Sequence, residues 1–260
     1  MLVPFAAFAL ALPARSAITI QSYWSLGENS GNMGADTSSA NDTETNNLNK
    51  TDGTTILSAS PSGMGGSTQY IHTSGSNFQG LWMFGAGSEA QNIPADNWGV
   101  QFMVRATNPA SITVGDFRAV FGMAEGVSAG LVIEAANIGG TVYWDVNQQG
   151  VANYIIPRNA LTTLSTDWTG LALVKSGGTT SFYVNGELAG SNSAASNVSG
   201  LFAFGLQQNV GTKGFAGDFD EASFFTFSPG SFNPSTDLIP EPSVSLLGGL
   251  GVLALLRRRR

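Results

Sequence analysis

The stretch Trp168–Gly186, with the sequence WTGLALVKSGGTTSFYVNG, decides the fold class of this chain. Leu171–Lys175 and Thr180–Val184 are short apolar-rich segments on either side of a Ser-Gly-Gly turn, a pattern that predicts a β-hairpin. Asn185-Gly186 follows directly and is a strong indicator of a type I′ turn into another strand. This part of the chain is therefore predicted to consist of antiparallel strands joined by tight turns.

Strand-like segments separated by turn residues recur through most of the chain. Residues 100–105 and 141–147 alternate with a period of two, as strands buried on one face do. The other predicted strands are 18–20, 23–28, 117–123, 130–135, 201–206 and 215–227. Helical periodicity is essentially absent outside two terminal apolar segments, so the sequence predicts an all-β sandwich or barrel.

Composition and charge exclude several classes of function. Charged residues make up 11% of the chain, and residues 18–242 hold six Lys and Arg against 18 Asp and Glu, a net charge of −12. So acidic a body lacks the positive surface that binds nucleic acid. There is no cysteine, which excludes a zinc–thiolate site, a disulfide framework and a thiol nucleophile. The single histidine, His72, excludes a multi-histidine metal site.

Three segments spread over the chain resemble the laminin-G-like, concanavalin-A-like jelly roll. They are an opening strand and loop at Tyr23–Glu28, Gly31 and Asp36–Ser38, the central hairpin Trp168–Gly186, and a closing strand at Gly214–Ala222. The resemblance implies a two-sheet antiparallel jelly-roll sandwich over residues 17–228. Its members include lectins, adhesion modules and glycan hydrolases, and the fold alone does not choose among them.

The N-terminus resembles a secretory signal peptide. Leu2–Leu12 is an apolar run, and Ala14-Arg15-Ser16 fits a small-x-small cleavage pattern, which gives a signal peptide over residues 1–16. No basic residue precedes the apolar run, so the true translation start is an open question. A buried N-terminal strand or helix is the alternative.

The C-terminal stretch 240–260 resembles the PEP-CTERM sorting signal of Gram-negative bacteria. It consists of Pro240-Glu241-Pro242, an uncharged segment Ser243–Leu256, and Arg257, Arg258, Arg259 and Arg260. Four arginines after an apolar run favour the cytoplasmic side of a membrane. Residues 229–239, with Pro229, Gly230 and Pro234, are predicted to link this signal to the body.

The sorting resemblance implies partners and a location. It implies export by the secretion machinery, cleavage near Pro-Glu-Pro by an exosortase-type membrane protease, and a transient stay at the inner membrane. Delivery to the cell surface or exopolysaccharide matrix would follow. The apolar segment is predicted to be a helix, but its 14 residues fall short of the ~20 that span a bilayer core. An ordinary C-terminal anchor is the alternative.

The acidic residues of the closing strand are the nearest approach to a catalytic set. Glycosidases use two carboxyl groups, and laminarinase-type enzymes on this fold carry Glu-x-Asp-x-Glu on one strand face. Asp218 and Asp220 share a face, but Glu221 points the other way and position 222 is alanine. We therefore expect Asp220 to accept hydrogen bonds from loop amides. We expect His72, alone in a predicted strand, to be structural or solvent-exposed.

A calcium site is an open alternative in the polar segment Ser30–Thr55, which is predicted to be a long surface loop. Calcium binds six to eight oxygen ligands, and this loop contains Asp36, Asp42, Glu44 and Asp52. There is no Asp-x-Asp-x-Asp-Gly pattern, and these residue types are also ordinary in loops. No ligand set is therefore assigned, and no other cofactor is indicated.

Tryptophans are the candidates for a sugar-stacking surface, because exposed aromatic rings stack on the apolar faces of sugars. Trp82, Trp98 and Trp144 are the candidates, although core packing is the commoner role for each. Trp24 and Trp168 occupy positions that pack in the core of the resembled family.

The sequence predicts a non-enzymatic, exported surface or matrix protein that binds an extracellular polysaccharide or structures it. A polysaccharide-degrading enzyme with acids from distant strands is the alternative, and a structural protein without a ligand is a third hypothesis. No ligand-binding residues are assigned from the sequence.

Overall fold

The computed structural model describes a two-sheet β-structure. It covers residues 18–24, 26, 49–50, 55–58, 69–75, 80–82, 92–123, 130–149, 153–155, 161–194, 198, 200–206 and 213–238. The predicted signal peptide, the four acids of the polar loop, the sorting motif and the predicted apolar helix lie outside these residues. Within the described part of the chain, no helix is both long and apolar enough to cross a membrane.

The first sheet has β16 near its centre, between β6 on one side and both β4 and β1 on the other. Its strands, from one edge to the other, are β14 (Glu187–Asn192), β13 (Thr179–Val184), β12 (Thr169–Ser176), β6 (Trp98–Ala106), β16 (Ala216–Phe227), β4 (Gln69–Ser74) and β3 (Thr55–Ser58), with β1 (Ile18–Trp24) paired to β16. Strand β1 pairs with the C-terminal half of β16 and β4 with its N-terminal half.

The second sheet is built around the long strands β8 and β9. Its strands, in order, are β10 (Asn153–Tyr154), β9 (Thr141–Gln149), β8 (Gly130–Ile138), β7 (Phe117–Met123), β15 (Phe202–Phe204), β5 (Leu81–Trp82) and β2 (Asn49–Lys50), with β11 (Thr162–Thr163) paired to β9. Pairing between the named strands is antiparallel throughout both sheets. The prediction of an all-β, two-sheet antiparallel sandwich is therefore confirmed.

The core lies between the sheets and is dominated by aromatic rings. Phe102 of the first sheet lies 5.3 Å from both Phe121 and Phe204 of the second, measured between ring centroids. All three side chains are fully buried. Rings at such spacings add to the burial energy by edge and offset contacts, so this cluster fixes how the two sheets face each other.

The hairpin that decides the fold is present as predicted. Strands β12 and β13 are joined by Gly177-Gly178, and Asn185-Gly186 connects β13 to β14. Asn185 has φ +53° and Gly186 φ +79°, as a type I′ turn requires. The Asn185 side chain also accepts a hydrogen bond from the Gly170 amide at 2.8 Å, which ties the turn to the start of β12.

Residues 100–105 were predicted to form a strand with one buried face, and this prediction is wrong for β6. Val100, Phe102 and Val104 face the core as expected, but Gln101 and Met103 on the other face are buried too. Part of that outer face is covered by a second apolar cluster, whose members include Phe225, Phe227 and Leu238 with Phe232 packed against them. The Phe232 ring stacks on Phe225 with centroids 6.2 Å apart.

Residues 231–238, which belong to the segment predicted to be a linker, pack against the first sheet. They contain a short helix, α1 (Pro234–Asp237), capped by the Asn233 side chain, and Leu238 is 5% exposed. One 3-10 helix, at Pro109–Ser111, lies between β6 and β7. Asn49–Lys50, inside the predicted polar loop, forms a two-residue strand paired to β5, so the loop prediction is wrong there.

Candidate functional site

The outer face of the second sheet, which points away from the core, carries a pocket. Alternation along β8 places Leu131, Ile133 and Ala135 in the core. The residues between them, among them Glu134 and Ala136, therefore face outward. A cavity of about 350 Å³ opens on this face and is lined in part by Glu134 and Asn147. We call it the Glu134 pocket.

The floor of the Glu134 pocket joins apolar and polar groups. Phe117, Ala136 and Ile138 supply the apolar part, and Glu134 and Asn147 the polar part. The Asn147 side chain donates a hydrogen bond to Glu134 Oε1 at 3.3 Å. Because Glu134 is 2% exposed, its carboxylate is held in place rather than free in solvent.

One wall of the pocket is the turn Val114–Asp116, which precedes β7. The Gly115 amide donates to the Asn137 carbonyl at 2.9 Å, and the Asn137 amide donates to the Asp116 carbonyl at 2.9 Å. Gly115 has φ +82°, where side chains are strained, so glycine suits this turn. The wall is thus pinned to the end of β8.

Asp116 is the most strongly tethered acid at the pocket. Its carboxylate accepts hydrogen bonds from Lys213 Nζ and from Arg118 Nη1, the latter at 2.6 Å. Burial by itself would raise the pKa of Asp116, but the hydrogen bonds from Lys213 and Arg118 outweigh it and hold that pKa well below its usual range. The Lys213 ammonium also lies 5.1 Å from the centroid of the Phe117 ring. Asp116 is therefore ionised and committed to holding the wall.

This arrangement suits a small, amphipathic ligand that carries no negative charge. Binding pockets commonly have volumes of about 300–1,000 Å³ and combine an apolar surface with a few fixed polar groups. The carboxylate of Glu134 accepts hydrogen bonds, and the amide of Asn147 both donates and accepts. Phe117 offers an apolar surface beside them. A hydroxyl-rich ring with an apolar C–H face has this chemistry.

The acids of the closing strand lie on the first sheet and do not line the Glu134 pocket. Asp218 is 1% exposed and contacts Arg105 and His72. Asp220 is fully buried and its Oδ1 accepts a hydrogen bond from the Glu221 amide at 2.9 Å. This donor belongs to the same strand, and the expectation that Asp220 accepts hydrogen bonds from loop amides stays a prediction.

Glu221 occupies a β-bulge in the pairing of β16 with β6. Its φ of +51° is in the left-handed region, and Oε2 accepts a hydrogen bond from the Tyr23 hydroxyl. Oε1 is buried and has no hydrogen-bond partner in the described part of the chain. Burial raises the pKa of Glu221.

The tryptophans that are buried in the core are not all those that the sequence analysis expected there. Trp24, Trp98 and Trp144 are buried in the core, so Trp98 and Trp144 form no stacking surface. The expectation that Trp168 packs in the core is wrong. Leu171 and Leu173 face the core, so strand alternation turns Trp168 outward, against Arg105. The side chain of Trp82 lies outside the described part of the structure.

Sequence reasoning missed Glu134 and Asn147. A period-two reading of residues 130–138 and 141–147 does place both on the outer face, but it does not show that they meet. Their contact depends on the register of β8 and β9, in which Val132 is opposite Asn147 and Glu134 is opposite Asp145. Among the described residues there is no group of three or more His, Asp or Glu side chains placed to hold a metal ion.

Comparison with known proteins identifies the family. The model of a laminin-G-type family, the concanavalin A-like lectin/glucanases superfamily, matches residues 84–228, more than half of the chain. Among curated proteins, no match was found.

Solved structures share the fold. Domain 4 of AbnA, an extracellular arabinanase of Geobacillus stearothermophilus in complex with arabinotriose, is similar with a TM-score of 0.54 and 15% identity, over 85% of this chain and 98% of that chain. The receptor-binding domain of botulinum neurotoxin type G has a TM-score of 0.53 and 14% identity, over 84% of this chain and 49% of that chain. The binding domain of Paraclostridial Mosquitocidal Protein 1 has a TM-score of 0.53 and 17% identity, over 82% and 50%. The chain thus spans about half the length of the two toxin chains, and identities this low establish the fold alone.

Proposed function

Because the chain belongs to the concanavalin A-like lectin/glucanases superfamily, we propose that it is a lectin-like protein that binds a saccharide in the Glu134 pocket without cleaving it. The single observation that carries this proposal is the pocket itself. A cavity of about 350 Å³ brings the held carboxylate of Glu134 and the amide of Asn147 next to the apolar surface of Phe117.

The chemistry of the pocket supports a saccharide over an anionic ligand. The carboxylate of Asp116 is neutralised by Lys213 and Arg118, so it offers little charge to a ligand. Glu134 and Asn147 instead offer an acceptor and a donor at fixed positions, which matches adjacent hydroxyl groups. The arabinanase domain that shares the fold is described in complex with arabinotriose, which supports the same ligand class here.

We further propose that the protein is exported and sorted to the cell surface or exopolysaccharide matrix of a Gram-negative bacterium. The support is the sequence of its two ends, with an apolar leader at 1–16 and Pro240-Glu241-Pro242 before an apolar segment and four arginines. An exosortase-type protease is the proposed partner. Calcium stays a proposed additional ligand, to be tested by its effect on saccharide binding.

One observation favours a second candidate function, polysaccharide hydrolysis. Glu134 and Asp145 are directly opposed on β8 and β9, and both are buried on the outer face. Opposed residues on antiparallel strands have Cβ atoms about 4.5–5.5 Å apart. Retaining glycosidases need two carboxyl groups at a comparable separation of about 5–5.5 Å. We favour binding because Asp145 does not line the Glu134 pocket.

Electrophoresis through gels that contain a polysaccharide tests both functions. Arabinan, laminarin and mannan are used in separate gels, with calcium and with chelator. Slower migration of the wild-type protein in at least one gel, and a smaller retardation of Glu134→Gln in the same gel, support the proposed function. Glu187→Gln, at an exposed position on the other sheet, is the matched control. If reducing ends accumulate when the protein is incubated with a polysaccharide, hydrolysis replaces binding as the proposed function.

A further inference from the structure

A row of polar and aromatic side chains crosses the outer face of the first sheet, on the opposite side of the sandwich from the Glu134 pocket. In the strand pairing, Asp218 is directly opposite His72 on β4 and directly opposite Arg105 on β6. Trp168, just before β12, extends the row next to Arg105. Strands lie about 4.8 Å apart, so the row is about 14 Å long. We call it the Arg105 row.

Asp218 fixes the two nitrogen-bearing side chains beside it. Its Oδ1 lies 2.7 Å from His72 Nδ1, and its Oδ2 accepts hydrogen bonds from Arg105 Nε and Nη2 at 2.9 and 2.5 Å. Partial burial alone would lower the pKa of Arg105, but the hydrogen bond and charge of Asp218 raise it. The guanidinium is therefore a permanently charged group in one orientation.

Two aromatic rings hold the other side of the guanidinium. Arg105 Cζ lies 5.1 Å from the Trp168 ring centroid and 5.5 Å from that of Tyr70. The two rings meet edge to face, with centroids 5.6 Å apart. Such cation–π contacts orient the group as well as stabilise it. Trp168 is half-buried, unlike the three core tryptophans, so it presents indole surface to solvent.

The Arg105 row has hydrogen-bonding atoms without a partner among the described residues. Arg105 Nη1 makes no hydrogen bond among the described residues, and the side chains of Arg105 and His72 are 34% and 28% exposed. A carboxylate can only accept, so His72 Nδ1 carries the proton toward Asp218. In the neutral imidazole, His72 Nε2 is then an acceptor. The row thus offers a donor next to the exposed Trp168 ring and an acceptor at its far end.

We propose that the Arg105 row is a second saccharide-binding surface, specific for uncharged sugars. The Trp168 ring would stack on the apolar face of a sugar, Arg105 Nη1 would donate to one hydroxyl, and His72 Nε2 would accept from another. The ligand is uncharged because Asp218 cancels the charge of Arg105, and because a body of net charge −12 repels polyanions.

Two surfaces on opposite faces of one domain allow it to bridge two polysaccharide chains. This consequence rests on the proposed function, because it needs the Glu134 pocket to bind a saccharide as well. Binding through two linked sites also strengthens retention on a polymer beyond that of either site alone.

The test compares retention of the full chain in gels that contain arabinan, laminarin or mannan. Trp168→Ala removes the stacking surface and is expected to weaken retention about tenfold, the effect of losing ~1.4 kcal/mol of contact. Leu188→Ala is the control, since Leu188 is an apolar side chain 59% exposed on the same sheet. Arg105→Lys keeps the charge and loses the planar fork, and it replaces Trp168→Ala if that variant does not fold. Retention is expected to be insensitive to salt, because the row has no net charge.

The outcomes separate this inference from the proposed function. Retention that survives in Glu134→Gln and disappears in Glu134→Gln/Trp168→Ala supports the second surface. Complete loss of retention in Glu134→Gln alone overturns the second surface and leaves the proposed function standing. Complete loss in Trp168→Ala alone, with Glu134→Gln unchanged, keeps the Arg105 row and overturns the pocket. Unchanged retention in both single variants, or no retention of the wild type in any gel, overturns the inference.

Discussion

His72 Nδ1 lies 2.7 Å from Oδ1 of Asp218, a carboxylate that is almost completely buried in the middle of the first sheet. The same carboxylate binds Arg105, so one buried anion joins β4, β16 and β6. The lone histidine of the chain is therefore a structural partner of the closing strand, and it lies far in sequence from the residue that fixes it.

Replacing Asp218 by asparagine should destabilise the fold measurably. The change leaves Arg105 without its anion, and breaking a fully buried ion pair costs about 3–5 kcal/mol. Arg105 and His72 are each about a third exposed, so solvent recovers part of the loss and we expect about 2 kcal/mol. Chemical denaturation measures it, with the exposed Asp167→Asn as control. A difference between Asp218→Asn and wild type below about 0.5 kcal/mol would contradict this role.

Glu221→Gln should stabilise the protein increasingly as the pH rises. Burial raises the pKa of Glu221 in the folded state, so folding favours the protonated form. Wild-type stability is therefore full below the unfolded value of 4.5, falls as pH rises through the folded pKa, and stays lower above it. Glutamine cannot ionise and escapes this loss.

Thermal unfolding from about pH 4 to pH 8 measures the Glu221 effect. The unfolding temperatures of Glu221→Gln and wild type should nearly coincide at the acidic end and diverge toward neutrality. Glu187→Gln, on an exposed position, controls for the loss of one charge. A difference that is constant across the range would show that Glu221 does not carry the effect.

Asn185→Ala should loosen the central hairpin. Alanine loses the acceptor for the Gly170 amide and is strained at φ +53°. The two effects together are expected to cost about 2 kcal/mol. Asn185→Asp keeps a side-chain oxygen and tolerates this backbone, so it should lose much less in the same denaturation experiment. Equal losses in the two variants would mean that the side-chain hydrogen bond contributes little.

Changing Pro240-Glu241-Pro242 to three alanines should leave uncleaved protein in the membrane. The physical reason is that a protease that recognises a Pro-Glu-Pro motif loses both its rigid prolines and its acidic group. Gel mobility of the protein in membrane and released fractions measures processing in a host that carries an exosortase. Normal processing of the triple-alanine variant would remove the sorting hypothesis.

Local patterns were enough to predict much of the fold. The Gly-Gly and Asn-Gly turns place β12, β13 and β14, because glycine and asparagine adopt the positive φ angles that these tight turns require. Phe232 was not recognised as part of the body because it stands among proline, glycine and serine. Its partners Phe225 and Phe227 belong to β16, so only the folded sheet shows that Phe232 packs against the body.

The candidate sites were less accessible to sequence reasoning. The contact of Glu134 with Asn147 depends on strand register, and that of Arg105 with Asp218 joins residues 113 positions apart. Strand alternation from Leu171 and Leu173 predicts that Trp168 faces outward. It does not predict the contact with Arg105, because that guanidinium comes from another strand. Alternation predicts which face a side chain occupies, and tertiary pairing decides what it meets there.

Saccharide binding in the Glu134 pocket is tested most directly by the dissociation constants of wild type and Glu134→Gln for one retained polysaccharide. Glutamine has nearly the same shape and keeps an acceptor for Asn147, and it removes the charge and one strong acceptor. We predict binding about tenfold weaker in Glu134→Gln, the loss of one charge-assisted hydrogen bond. Equal dissociation constants for the two proteins would contradict the pocket as the binding site.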